Sequence, residues 1–231
     1  LTDRDGKSVR DELVATGFLG DAPVELPPPH AYLECHIEQG PVLAHAGVEI
    51  GVVTGVQGIS WVELTLLGRS AHAGTTPMEL RHDPGLVAAR IHVHLRDLIA
   101  SGEFGQLRAT MGRLDATPGL VNIVPSRVIC TIDLRNPDEG LLAAAEAALA
   151  DFIDQAAAAE GVAVSRRQTA RTPPIPFSQA VQGRVAEAAA TLGLTHQQPE
   201  TLCLPYDHSF PLRACRVPGW PSLKNTTWNS R

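Results

Sequence analysis

Residues 60–68, "SWVELTLLG", alternate in polarity: Val62, Leu64 and Leu66 fall on one face, Trp61, Glu63 and Thr65 on the other. A period of two predicts a half-buried strand. The period then changes. Asp83 and Pro84 sit as an N-cap and N1 proline, and Leu86, Val87, Ile91, Leu95 and Leu98 recur as the apolar stripe of a helix, with Gly102 after its last turn. "QLRATMGRLDA" and "SRVICTIDLRN" read as two strands joined by the Gly/Pro-rich loop "TPGLVNIVP". Asp138 caps a second, Ala-rich helix through about Ala159, Gly161 ends it, and "VAVSRRQTA" is a last strand. The order β-α-β-β-α-β predicts two helices on an antiparallel sheet, a ferredoxin-like layer pair.

The flanks carry weaker signals. Ser8 can cap a short helix with Val9, Leu13 and Val14 on one face. "APVELPPPHAY" is a Pro-rich connection, and "YLECHIEQG" reads as a strand running into a turn. After "TPPIPF" a helix is predicted from about Gln179 to Leu192. The 31 residues beyond Glu200 hold two of the four cysteines and two of the three tryptophans without a clear period, which predicts weak or irregular structure there. The chain is therefore read as α/β: residues 1–54 belong to one domain, 55–170 are inserted into it, 171–200 return to it, and 201–231 are a divergent tail.

At 231 residues there is room for one large domain or two smaller ones. A net charge of −6 without a Lys/Arg block argues against nucleic acid or an anionic membrane as partner. No apolar run approaches the roughly 18–20 residues needed to span a bilayer. Cys35, Cys130, Cys203 and Cys215 form no CxxC pair, and no signal peptide opens the chain, so a reduced, cytoplasmic compartment is the simplest expectation.

Four places could carry chemistry. His36, before a Gly-Pro break, is either a metal ligand at a strand end or a hydrogen-bonded core histidine. His72 in "GRSAHAGTTPM" is either a donor to a developing oxyanion or a turn residue that caps a helix. Asn122 and Arg135 in "PGLVNIVPSRVICTIDLRNPD" would suit a carboxylate beside a polar amide. The alternative is a turn asparagine and a surface arginine paired with Asp133 or Asp138. His92 and His94 are simplest as surface or packing residues of the first long helix.

Those stretches, together with "YLECHIEQGPVLAHAGVEIGVVTGVQG" and "GRSAHAGTTPMELRHDP", resemble the N-carbamoyl-L-amino-acid hydrolases and allantoate amidohydrolases. These are zinc aminoacylase and carboxypeptidase-type metallohydrolases related to β-ureidopropionase. The resemblance implies a metal-dependent amidohydrolase that cleaves linear amide or ureido C–N bonds in N-carbamoyl-L-amino acids, allantoate or similar ureido acids. It implies part of a metallohydrolase catalytic domain with an inserted lid that dimerises. It implies two divalent ions, Zn²⁺ or Mn²⁺, with His36 binding one of them. Gln39 matches a substrate contact, His72 a histidine supplied across the dimer to polarise the scissile carbonyl, and Asn122 and Arg135 residues that hold the substrate carboxylate. The expected assembly is a homodimer acting on a small molecule, without nucleic acid or membrane.

The sequence departs from that family in two ways. The His-x-Asp motif, the bridging Asp and the Glu-Glu pair have no counterpart here. Beyond Glu200 "TLCLPYDHSFPLRACRVPGWPSLKNTTWNSR" replaces the expected Gly-His-Asp and Gly-x-Ser-His stretches, as a shifted reading frame or an unrelated tail would. Asp207, His208, Cys203 and Cys215 match no standard zinc spacing. The expectation is an inactive or incomplete fragment. The alternatives are a non-catalytic dimerisation module, or a related aminoacylase or dipeptidase.

Overall fold

The computed structural model describes residues 2–3, 5–21 and 30–197, and the predicted tail with its cysteines lies outside them. In chain order the elements are α1 (Val9–Ala15), α2 (Val42–Ala46), β1 (Ile50–Gly51), β2 (Gly55–Val56), β3 (Gly58–Leu67), β4 (Ala71–His72), α3 (Pro84–Ala100), β5 (Arg108–Thr117), β6 (Ile123–Val124), β7 (Arg127–Asn136), α4 (Glu139–Glu160), β8 (Ala163–Thr172), β9 (Ile175–Pro176), α5 (Gln179–Thr191) and β10 (His196–Gln197). A turn of 3-10 helix, Met78–Leu80, precedes α3.

Strands β5, β7, β3 and β8 lie side by side in that order, all antiparallel. The first and third strands of the β-α-β-β-α-β unit are thus central, and α3 and α4 cover one face. Alternation dictates which side chains they meet. Leu64, Leu66, Val128, Cys130, Ile132 and Leu134 are buried toward the helices, together with Val87, Ile91, Leu95, Leu142, Leu149 and Ile153. On the other face Glu63 joins Arg167 at 3.0 Å and Arg113 at 3.6 Å, a polar surface the pleat allows.

The caps fall where the sequence puts them. The Asp83 carboxylate accepts from the Gly85 and Leu86 N–H groups at 2.8 and 3.3 Å, and Asp138 accepts from Leu141 N–H at 2.8 Å. Gly161 ends α4 at φ +61, the left-handed conformation glycine adopts without strain. One stripe position is corrected: Leu86 is 38% exposed, while Pro84 and Ala88 are buried. The buried positions 84, 87, 88, 91, 95 and 98 keep the i, i+3/i+4 spacing of one helix face, and Leu86 sits to one side of that line. His94 stacks on Phe152 with ring centroids 3.7 Å apart, as a packing histidine between α3 and α4; burial holds its pKa below the ordinary imidazole value. His92 is exposed.

Asn136 is a buried polar joint. Its amide donates to the Phe104 carbonyl at 2.8 Å, and its Oδ1 accepts from Asp138 N–H at 2.9 Å, so one side chain ties the end of β7 to the loop before β5 and to the start of α4. Asn136→Leu leaves a carbonyl and an N–H without these partners and is expected to cost about 2–3 kcal/mol in urea unfolding. An unchanged midpoint would contradict this.

Outside the long sheet the flanks meet. Strand β1 runs parallel to β10, and β2 pairs antiparallel with β9. Gln182 on α5, 8% exposed, donates to the carbonyl of Phe177 at 3.0 Å and of Thr54 at 3.4 Å, clamping the two chain crossings at the base of the sheet domain. Two expectations are corrected. Helix α1 forms with Ser8 and Asp11 in a capping box, but Val9 and Val14 are 58% exposed: its apolar face has no partner among the described residues. Residues 32–40, expected as a strand running into a turn, form no strand and are mostly exposed. A strand needs a ladder, and nothing described pairs with them.

Candidate functional site

His72 and Asn122 are fifty residues apart in sequence and adjacent in space. β4 pairs with β6, placing Ala71 opposite Val124 and His72 opposite Ile123. Beyond the pair, Ala73 N–H donates to the Asn122 carbonyl at 2.9 Å. Gly68 N–H donates to Ser126 O at 2.8 Å, fastening the same corner to the start of β7. Both candidate side chains are exposed at this end of the sheet.

The imidazole of His72 is held in a definite state. Gly74 N–H donates to its Nδ1 at 3.1 Å. A backbone N–H can only donate, so Nδ1 must be the ring's acceptor, and the neutral ring carries its proton on Nε2. An exposed Nε2–H is the group needed to donate to a carbonyl that gains negative charge.

Arg135 does not join this corner. It lies at the opposite end of β7, eight residues or roughly 26 Å from Arg127. Its Nε and Nη2 reach the Asp133 carboxylate at 3.0 and 2.9 Å, so the fork meets a carboxylate of its own strand.

His36 and Gln39 lie elsewhere in the chain. His36 is exposed, with Nδ1 within hydrogen-bond reach of the Ile37 carbonyl. Donation there leaves the Nε2 lone pair free, the form in which imidazole binds a metal. The adjoining Gln39 takes φ +53, a left-handed conformation uncommon outside glycine. Glu38 supports that turn. Its carboxylate accepts from Val42 and Leu43 N–H groups at 2.7 and 2.9 Å and so caps α2 in place of Pro41. Sequence reasoning gave Glu38 no role; the signal was an acidic residue just ahead of a Gly-Pro helix start. Among the described residues no group of three or more His, Cys, Asp or Glu side chains is arranged to hold a metal ion. His36 has the right donor chemistry, but the described residues do not fit a two-metal centre.

Cys35 and Cys130 are free thiols; burial pushes Cys130 up to about 11, which makes it inert at neutral pH. No described helix is long and apolar enough to cross a membrane.

Residues 54–160 match the M20 peptidase dimerisation domain. The sheet, its two helices and the His72–Asn122 corner fall within or beside that match. An N-carbamoyl-L-amino-acid amidohydrolase of Rhizobium meliloti is 37% identical over 194 residues, covering 84% of this chain and 46% of the relative. Over that span the chain is similar to the N-carbamoyl-L-amino-acid amidohydrolases. An allantoate amidohydrolase of Escherichia coli K12 is 40% identical over 147 residues, 62% of this chain and 35% of that protein. The crystal structure of a hydantoinase/carbamoylase family amidase from Burkholderia multivorans superposes with a TM-score of 0.79 at 38% identity, covering 85% of this chain and 48% of that one. The chain thus spans about half the length of the curated relatives it matches.

Proposed function

We propose that this chain contributes the lid and part of the catalytic domain of an amidohydrolase that cleaves linear amide or ureido C–N bonds. The substrates are N-carbamoyl-L-amino acids, allantoate or similar ureido acids. The domain division at residues 54, 170 and 200 belongs to this reading. So do a homodimer joined through residues 55–170 and a dependence on Zn²⁺ or Mn²⁺ with His36 as one ligand. The observation that carries the proposal is the His72 ring, which presents Nε2–H from an exposed loop beside Asn122. In this reading His72 of the partner subunit polarises the scissile carbonyl, and Gln39 contacts substrate. The strand-length separation on one protomer supports dividing the carboxylate-binding pair: Arg135 serves its own protomer's site, while Asn122 crosses the dimer with His72.

The complete four-stranded sheet with its two helices, which matches a dimerisation domain, also supports a second reading, a dimerisation module without turnover. The two readings part in one assay. The purified 231-residue chain is given N-carbamoyl amino acids and allantoate with added Zn²⁺ or Mn²⁺. Very low turnover is expected, and robust turnover that depends on His36 would overturn this. Any turnover found should drop by about 10²–10³ in kcat on His72→Asn, the usual weight of one oxyanion donor. Unchanged turnover would remove His72 from that role. Light scattering should report a dimer; a strict monomer at high concentration would remove the trans arrangement.

A further inference from the structure

The loop that carries His72 is held by a residue no motif singled out. Arg81 sends its guanidinium back from the end of the 3-10 turn into the loop. Nη2 donates to the Ala73 carbonyl at 2.7 Å, and Nε donates to the Thr76 carbonyl at 3.0 Å. The two accepting carbonyls bracket Gly74 and Thr75. The loop is also closed by Thr76 N–H donating to His72 O at 3.1 Å.

The first of these contacts reaches the imidazole in one step. The Ala73 carbonyl and the Gly74 N–H are the two ends of a single peptide group. That group is planar and trans, so its C=O and N–H point in opposite directions and turn together. Holding the oxygen at Arg81 therefore aims the N–H, and it is aimed at His72 Nδ1. A cationic donor on the carbonyl also polarises the peptide and strengthens its N–H as a donor. Lysine would not reproduce this grip: its ammonium has three donors but no rigid fork, whereas the guanidinium spans the two carbonyls at fixed geometry.

We infer that Arg81 is a positioning residue: its guanidinium orients the Ala73–Gly74 peptide so that the Gly74 N–H keeps the His72 imidazole in its Nε2–H form. The inference rests on the reading of His72 as a carbonyl-polarising donor for its functional meaning, and on the loop geometry alone for its physical content. Arg81 touches neither substrate nor reacting atoms.

His82 supplies an internal reference. Its Nδ1 lies 3.1 Å from the Glu160 carbonyl, to which it can only donate, so the neighbouring ring takes the opposite tautomer. Ring ¹⁵N spectra of the full chain, above the pH where both rings have lost their extra proton, distinguish the two forms. The wild type should show Nε2–H for His72 and Nδ1–H for His82. Arg81→Met keeps the apolar stem and removes every donor. It should lower the His72 tautomer ratio by roughly fivefold, the effect of one ordinary hydrogen bond, while His82 stays as it was. If that variant does not fold, Arg81→Lys decides, with the same direction expected. A wild-type His72 protonated on Nδ1, or a ratio unmoved in a folded variant, would overturn the inference. A His82 ring that shifts equally would reduce Arg81 to a general structural contact and overturn it too. If the ratio responds but His72→Asn leaves turnover intact, the loop mechanism stands and the catalytic reading of His72 fails.

Discussion

Leu64→Ala is expected to lower the stability of the sheet domain by about 3–4 kcal/mol, within the range seen for fully buried leucines. Leu64 is completely buried on β3, a central strand with β7 on one side and β8 on the other. Its side chain enters the core beneath α3 and α4, which includes Cys130, Ile91 and Leu149. Neighbouring strands are held by ladder hydrogen bonds and cannot close around a cavity, so little of the lost contact is recovered. For a domain of this size the midpoint of thermal unfolding should fall by on the order of 10–15 °C. The comparison must be made at one protein concentration, because association would shift both midpoints. A loss under about 1 kcal/mol would mean that the helices slide to fill the space, contrary to the packing described.

Gly68→Ala is expected to be nearly as damaging, for a reason no core argument captures. A Cβ built on Gly68 would stand 2.2 Å from the His82 carbonyl oxygen and 2.6 Å from Pro84 Cδ. The oxygen belongs to backbone, and it already accepts from Arg69 N–H at 3.0 Å. The methyl group therefore forces apart the crossing where the chain leaves β3 and the chain that enters α3. We expect about 2–4 kcal/mol of destabilisation, the scale of overpacking against a rigid neighbour. Faster amide exchange at Arg69 and a disturbed His72 ring signal should accompany it, since Arg81 and Asp83 lie either side of His82. Gly112→Ala is the control: its Cβ would meet Thr131 Oγ1 at 3.7 Å, an ordinary contact. Equal stability of the Gly68→Ala and wild-type proteins would show that the crossing is loose.

The candidate site was only partly legible in the sequence. His72 and Asn122 each stood out as a polar residue in a loop of small residues, but only the β4–β6 pairing makes them neighbours. Arg135 stood out as a fork suited to a carboxylate. The structure gives that fork Asp133, two residues away on the same face, as period-two geometry requires. Arg81 gave no signal, since an arginine before a helix cap is ordinary until its reach back to two carbonyls is visible.

The sequence by itself determined the long elements of residues 58–172: β3 from alternation, α3 from its apolar stripe, α4 from its Ala-rich run, and their ends from Asp83, Asp138 and Gly161; the short strands β4 and β6, in stretches read as loops, were not among them. These are local properties, set within a few residues by side-chain direction and backbone preference. Tertiary structure alone decided the strand order, the meeting of His72 with Asn122, the distance from both to Arg135, and the grip of Arg81 on the histidine loop. Such contacts join groups by how whole elements pack, and no local period encodes them. The irregular course of residues 32–40 has the same origin: a local sequence can propose a strand, but only a partner's hydrogen bonds make one.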